Sequence, residues 1–433
     1  MADLLELSSR IIDSGVAHEP VNRVTGELSE LAEGVSIVES FSHVISVRTD
    51  EGLVTFDASL ARTAPQVLRS LRRWSTDPVH TLVYTHGHLD HVGGSGAFAR
   101  DAVDRGHARP RVVGHTGVAE RFARYRLTDG YNRLINARQF GGVRSIAGMG
   151  RETGTFLPAD VMETDLTYED RMTLEVGGLE LDMRYARAET DDHTWTWIPA
   201  RSMIAAGDLV IWNFPNCGNP QKVQRYAVEW AQALREMAAV GAELLVPAHG
   251  LPIGGRERIR EVLEITAGVL EKLVADVIDA MNSGATLDDI VHGVRVDPEK
   301  LELPYLRPLY DEPEFAIRGI WRRYGGWWDG NPAHLKPAPE ANVAAEVASL
   351  AGGAEALANR AAELAEGGDF RLACELVEWA ARAEPESATV HLTRAAIYER
   401  RRRTESSLMA KGIYKGAVRE SEAVHPPETS KGR

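Results

Sequence analysis

Four side chains able to bind a metal, His86, His88, Asp90 and His91, stand within six residues of one another in the run Thr85-His86-Gly87-His88-Leu89-Asp90-His91. No other feature constrains the fold as tightly. Extended backbone throws alternate side chains to one face, so His86, His88 and Asp90 converge there, and a turn swings His91 toward the same pocket. The run follows Thr81–Tyr84, which reads as a buried strand, and precedes a glycine-led helix from Ser95. A single loop at a strand end can therefore serve two metal ions. Imidazole suits zinc, and a carboxylate oxygen is acceptable to zinc, iron or manganese, so the ligand types leave the metal open.

The surrounding chain supplies the scaffold such a loop needs. From Gly34 to about Gly254, strands rich in β-branched residues (Val35–Val38, His43–Val47, Leu53–Phe56) lead into an amphipathic helix, Ala64–Trp74, with Val67, Leu68, Leu71 and Trp74 on one side. Leu174–Leu181 reads as a hairpin about Gly177-Gly178, Thr194–Ile198 and Met203–Ala206 as a second pair, and Leu244–Val246 as a last strand. Strands covered by helices make the class α/β in layers. After Gly254-Gly255 the strand signal stops. A helix from about Glu257 to Met281, a Pro- and Trp-rich connection at Tyr324–Pro339 and alanine-rich helical pairs follow, including Ala354–Gly367 and Phe370–Ala383, which resemble tetratricopeptide units. The expected division is residues 1–255, residues 256–420, and a polar, disordered tail at 421–433.

Length and charge narrow the function classes. A chain of 433 residues is too long for one ordinary core. Its net charge of -14 is spread over many carboxylates and repels phosphate backbones and anionic lipid, so neither nucleic acid nor a membrane surface is expected as a partner. The acidic start at Asp3 and Glu6 lacks the basic region of an export signal, and no apolar run is long enough to span a bilayer. With only Cys217 and Cys374 present, the expectation is a cytoplasmic protein without a disulfide framework.

Further ligand candidates occur downstream, each near a strand end. His193 closes the run Glu189-Thr190-Asp191-Asp192-His193, Asp208 follows Ala205-Ala206-Gly207, and His249 follows the apolar Leu244-Leu245-Val246-Pro247-Ala248. Strand ends in layered α/β folds gather sites along one rim. The whole order, from the histidine-rich loop through a later lone histidine and an Ala-Gly-Asp turn to a late Ala-His-Gly, resembles the metallo-β-lactamase fold. That resemblance implies an αββα sandwich in which His86, His88 and His193 hold one metal, Asp90, His91 and His249 the other, and Asp208 bridges them. Two divalent ions, zinc first among the candidates, would bring the pKa of a shared water toward ~7 for hydrolysis, with Asp90 and His91 in the catalytic group.

The C-terminal half points to a branch. Trp327-Trp328-Asp329-Gly330-Asn331-Pro332-Ala333-His334-Leu335 resembles a signature of alkyl sulfatases that introduces a helical dimerisation domain, and Asp288–Val294 and Glu405–Ala410 look like further landmarks. The resemblance runs from about Gly34 to Glu420 and implies a homodimer acting on a small sulfate or related ester. Two departures stand out. Alkyl sulfatases place glutamates where this chain has His193 and Asp208, and no basic residue suited to a sulfate group is evident in Leu209–Pro220. Candidate substrate contacts are Tyr131, Asn132, Arg133 and Arg138 in Thr128–Gly141, and Asn213 and Asn216 in Trp212–Asn219. A lactonase, thioesterase or phosphodiesterase of the same fold, or an assembly protein with a structural metal, are the alternatives.

Overall fold

β-Branched and aromatic residues crowd the segments that pair into two sheets in the computed structural model, which describes residues 3–140 and 154–424. The described chain divides into two units: residues 3–133 with 154–326, and residues 134–140 with 327–424. The first unit opens with α1 (Leu4–Ser14), whose capping Asp3 accepts the N–H groups of Leu5 and Glu6.

One sheet holds seven strands in chain order. β1 (Leu28–Ala32), β2 (Val35–Val38), β3 (Val44–Thr49) and β4 (Gly52–Phe56) pair antiparallel. After α2 (Ala64–Trp74) the pattern changes. β5 (Val79–Val83) lies parallel to β4, and after α3 (Leu89–Val92) and α4 (Ser95–Asp104), β6 (Arg111–His115) lies parallel to β5. α5 (Gly117–Leu127) and α6 (Asp129–Gln139) precede β7 (Leu166–Tyr168), which is parallel to β6; residues of α6 from Leu134 onward belong to the second unit.

The other sheet runs from β8 (Arg171–Val176) and β9 (Leu179–Ala186) through β10 (His193–Ile198) and β11 (Met203–Gly207) to β12 (Leu244–Pro247) and β13 (Ile253–Gly254). The β8–β9 turn needs φ above zero at both central residues, which Gly177 (+50°) and Gly178 (+75°) provide. β11 and β12 are parallel, and the helix α7 (Ala227–Ala239) carries the chain between them.

Alternation along the strands decides the layers. Val54, Phe56, Val83 and Val113 join a core shared with Leu181, Met183, Trp195 and Ile204 of the second sheet, whereas Leu53, Leu82 and Val112 share a core with Val67 and Leu71 of α2 and Phe122 of α5. The first sheet is thus apolar on both faces. α8 (Arg256–Asn282) packs on α7 and buries Ile259, Val262, Leu263, Leu270 and Val277 in the shared core. It therefore belongs to the first unit, as do α9 (Leu287–Gly293), α10 (Pro298–Leu301) and α11 (Pro313–Gly325). The expected boundary at residue 255 falls inside this unit, because the helical signal after Gly255 covers the second sheet before the chain leaves it.

The second unit continues with α12 (Pro332–Leu335), α13 (Glu340–Ala351), α14 (Ala354–Glu366), α15 (Phe370–Ala383), α16 (Ala388–Thr404) and α17 (Leu408–Val424). α14 and α15 form the expected hairpin: Gly368 takes φ +87° and Asp369 caps α15 by accepting the N–H of Leu372. Alanines at 358, 361, 365, 373 and 380 are buried, and their small side chains let the helices approach closely. The tail expected from Ser421 begins as helix, since α17 reaches Val424; residues 425–433 lie outside the described residues. Among the described residues no helix is long and apolar enough to cross a membrane.

Candidate metal centre

Strand ends bring the ligand-type side chains of the first unit together. β5 delivers the loop from Thr85 to His88, and His88 stands at the N-cap of α3, whose single turn carries Asp90 and His91. β11 ends at Gly207, directly before Asp208, and β12 ends two residues before His249. Gly207 takes φ +55°, and a Cβ there would stand 2.7 Å from the His193 ring, so the turn that presents Asp208 closes only on glycine.

The donor atoms form two groups, each lying within 4.8 Å of one another: His86, His88, Glu189 and Asp208, and Asp90, His91 and His249. Asp208 faces both. Its Oδ2 lies 3.8 Å from His86 Nε2 and 3.4 Å from His91 Nε2, while its Oδ1 lies 3.5 Å from His249 Nε2. His249 Nε2 is also 3.3 Å from Asp90 Oδ2, and His88 Nδ1 is 3.7 Å from Glu189 Oε1.

His193 does not join the first group as expected. Its ring stacks on His86, but Nε2 accepts the backbone N–H of Asp208 at 3.0 Å, which turns that lone pair away from the centre. Glu189, four residues earlier, supplies a carboxylate instead. The sequence signal was present in the run Glu189–His193, where Glu189 read only as an acidic neighbour.

The cluster's titratable groups are strongly perturbed. Burial, then the neighbouring rings of His91, His88 and His193, holds His86 well below the usual histidine range. Burial likewise opposes charge on His91, but Asp208, Asp57 and Asp90 outweigh it and hold His91 well above that range. Burial pushes the Glu189 carboxyl up to about 8 despite the Arg225 guanidinium beside it. Among the described residues, His91 Nε2, Asp208 Oδ1 and Glu189 Oε2 are buried without a hydrogen-bond partner. An unpartnered imidazole nitrogen and unpartnered carboxylate oxygens, gathered where donor atoms stand 3–4 Å apart, fit a pair of divalent cations.

The outer contacts fix these donors. Asp57 accepts from His91 Nδ1 at 2.7 Å, and from Thr85 N–H and Oγ1–H at 2.8 Å each. Arg225 Nη1 donates to Glu189 Oε1 at 2.5 Å and to the Asn216 carbonyl at 2.7 Å. Sequence reasoning missed Asp57 and Arg225; only the end of an apolar strand could have pointed to Asp57, and nothing local marks Arg225.

The expected substrate contacts scatter. Asn216 is buried and donates to Glu189 Oε1 at 2.5 Å, while Asn213 donates to the Ile211 carbonyl within its own loop. Arg133 pairs with Asp129, and Tyr131 is exposed. Arg138 belongs to the second unit, where its side chain lies against Gly416 of α17. Gly141 lies outside the described residues. A basic residue absent from Leu209–Pro220 occurs just beyond it: Lys222 feels the charges of Arg225, Glu189 and Asp90, and burial first, then Arg225, lowers it to about 7.

Residues 38–249 match the model of the Metallo-beta-lactamase superfamily, and residues 286–423 match that of the Alkyl sulfatase dimerisation family. The chain is 27% identical over 380 residues to a linear primary-alkylsulfatase of Pseudomonas sp. (strain ATCC 19151), covering 82% of this chain and 69% of that protein. It is 25% identical over 407 residues to an (R)-specific secondary-alkylsulfatase of Pseudomonas sp., covering 89% of this chain but 61% of that protein. A stereoselective inverting sec-alkylsulfatase from Pseudomonas sp. superposes with a TM-score of 0.80 at 22% identity, over 93% of this chain and 66% of that one. The chain thus spans roughly three-fifths to two-thirds of the length of these relatives.

Proposed function

We propose that this chain, which belongs to the metallo-β-lactamase superfamily and carries an alkyl sulfatase dimerisation domain, is a dinuclear metal-dependent hydrolase of a small sulfate ester and works as a homodimer. The position of Asp208, whose Oδ2 lies between His86 of the first group and His91 of the second while Oδ1 faces His249, is the observation that carries the reading. His86, His88 and Glu189 would hold one ion, Asp90, His91 and His249 the other, and Asp208 would be shared. Three or four protein donors per ion leave positions open for water and substrate, unlike a closed structural site. When bound, two divalent ions, with zinc the best match to four imidazoles, activate water near neutral pH and neutralise developing charge.

The chain's own residues do the rest. Asp57 keeps the His91 proton on Nδ1 and so presents the Nε2 lone pair. Arg225 and Asn216 hold Glu189 in one orientation. Arg225 Nε and Asn219 Nδ2 are buried donors without a hydrogen-bond partner, suited to an anionic ester group that loses its hydration on entry. Lys222 is a further basic group that feels the charges of Glu189 and Asp90. The relatives' names extend the proposal to alkyl sulfates. The two cysteines are free, in keeping with a reducing, cytoplasmic setting, which stays part of the proposal.

The test is turnover of a panel of alkyl sulfates, carboxylate esters, thioesters and phosphodiesters by protein purified without chelator, alongside H88A. Sulfate release that disappears in H88A is expected. Turnover confined to another ester class would reassign the substrate.

A further inference from the structure

Arg121 lies in α5, remote in sequence from both ligand loops, and its side chain is only 3% exposed. Its Nε donates to Asp192 Oδ2 at 2.8 Å and its Nη2 pairs with Asp191 Oδ1. The same Asp192 oxygen accepts the backbone N–H of Gly87 at 3.0 Å. Gly87 stands between His86 and His88, and Asp192 is three residues after Glu189 and directly before His193. A guanidinium and a carboxylate this deep are costly unless paired, and here the pair is spent on two loops rather than on a helix face. A Cβ at Gly87 would lie 2.8 Å from Arg121 Cδ and 3.0 Å from Asp192 Oδ2, so the contact closes only over glycine.

We infer that Arg121 and Asp192 are positioning residues that lock the loop carrying His86 and His88 to the loop carrying Glu189, setting the first donor group before an ion arrives. The inference rests on the reading of those three as ligands. Neither Arg121 nor Asp192 touches the second group of Asp90, His91 and His249 in any of these contacts, so their effect should be selective. A residue that merely stabilised the fold would weaken both ions together.

The experiment depletes the full-length protein of metal, titrates Zn2+ against a chromophoric competitor, and repeats the titration with Co2+, whose absorption reports coordination. Wild type, R121K and D192N are compared. R121K keeps the charge but cannot bridge Asp191 and Asp192, and D192N keeps an acceptor for Gly87 but loses the ion pair. Each is expected to weaken one ion by roughly 10- to 100-fold, as loss of an outer-shell partner does, while the other ion binds as in wild type. D192N, nearly identical in shape to the native side chain, gives the answer if R121K does not fold. Wild-type affinity for both ions in the variants, or equal loss of both, would overturn the clamp alone. Failure of the wild type itself to take up two ions would overturn the ligand reading and the clamp with it.

Discussion

Oδ2 of Asp57 stands 2.7 Å from Nδ1 of His91, and this contact decides which face His91 turns to the centre. With the Nδ1 proton held by Asp57, Nε2 faces Asp208 at 3.4 Å and Asp90 at 3.6 Å. Asp57 takes φ +62°, a conformation unfavourable for a residue with a Cβ, and two hydrogen bonds from Thr85 help hold it there. D57N preserves shape but removes the charge opposite the His91 proton. It should weaken one of two zinc ions roughly 10- to 100-fold in a competition titration. Unchanged affinity would remove Asp57 from the account.

Glu189 and His193 make competing claims on the first donor group. Glu189 stands in the first donor group with Oε1 3.7 Å from His88 Nδ1, while His193 spends Nε2 on the Asp208 N–H. E189Q should therefore lower metal content from about two ions per chain to about one, and H193Q, which retains an acceptor, should lower it less. The reverse ranking, measured by mass spectrometry of metal content, would return the ligand role to His193.

Because burial pushes the Glu189 carboxyl up to about 8, it carries a proton at neutral pH that an incoming cation must displace. Uptake of an ion in the first group should release that proton, and its affinity should rise with pH up to about 8 and level off above. In E189Q this part of the pH dependence should vanish. Calorimetry in buffers of different ionisation enthalpy measures the proton count.

His43 brackets His249 from both sides: its backbone N–H donates to the Ala248 carbonyl at 2.7 Å, and its Nε2 donates to the Gly250 carbonyl at 2.9 Å. Burial first, then the nearby His249, lowers His43 to about 4, while Gly250, Ser40 and Asp208 pull the other way. The unfolded chain then binds a proton that the folded one refuses, so this contribution is whole above pH 6.5 and is lost as pH falls toward 4. One such group gives a slope of about 1.4 kcal/mol per pH unit. H43Q keeps a donor for Gly250 and should show a shallower slope in urea unfolding of the metal-free protein. H43A should cost about 1–3 kcal/mol by leaving the buried carbonyl unpaired.

Much of this was legible because it is local. The histidine spacing pointed to side chains that the fold gathers into one cluster, β-branched runs located β2, β4 and β10, and two glycines marked the β8–β9 turn. What escaped depends on contacts far apart in sequence. Arg225 reaches Glu189 across 36 residues and Asp57 reaches His91 across 34, and no local pattern records such pairs. Glu189 escaped for a different reason: His193 is the more conspicuous ligand type, and only the turn that ties its Nε2 to Asp208 shows it engaged. The apolar face of α8 looked like the start of a new domain because periodicity reveals that a face is buried, not which layer buries it.

The proposed homodimer predicts a sedimentation mass twice the 47.5 kDa of one chain, unchanged by metal removal. A monomer at micromolar concentration would contradict that part of the proposal.

The central claim is that seven side chains hold two ions around a shared Asp208. Counting metal per chain in wild type and D208N, on the preparations used for sulfate-ester turnover, tests it most directly. The account predicts about two ions per chain with sulfate release in the wild type, and loss of both metal and turnover in D208N. A wild-type protein that releases sulfate while carrying no stoichiometric metal would contradict it.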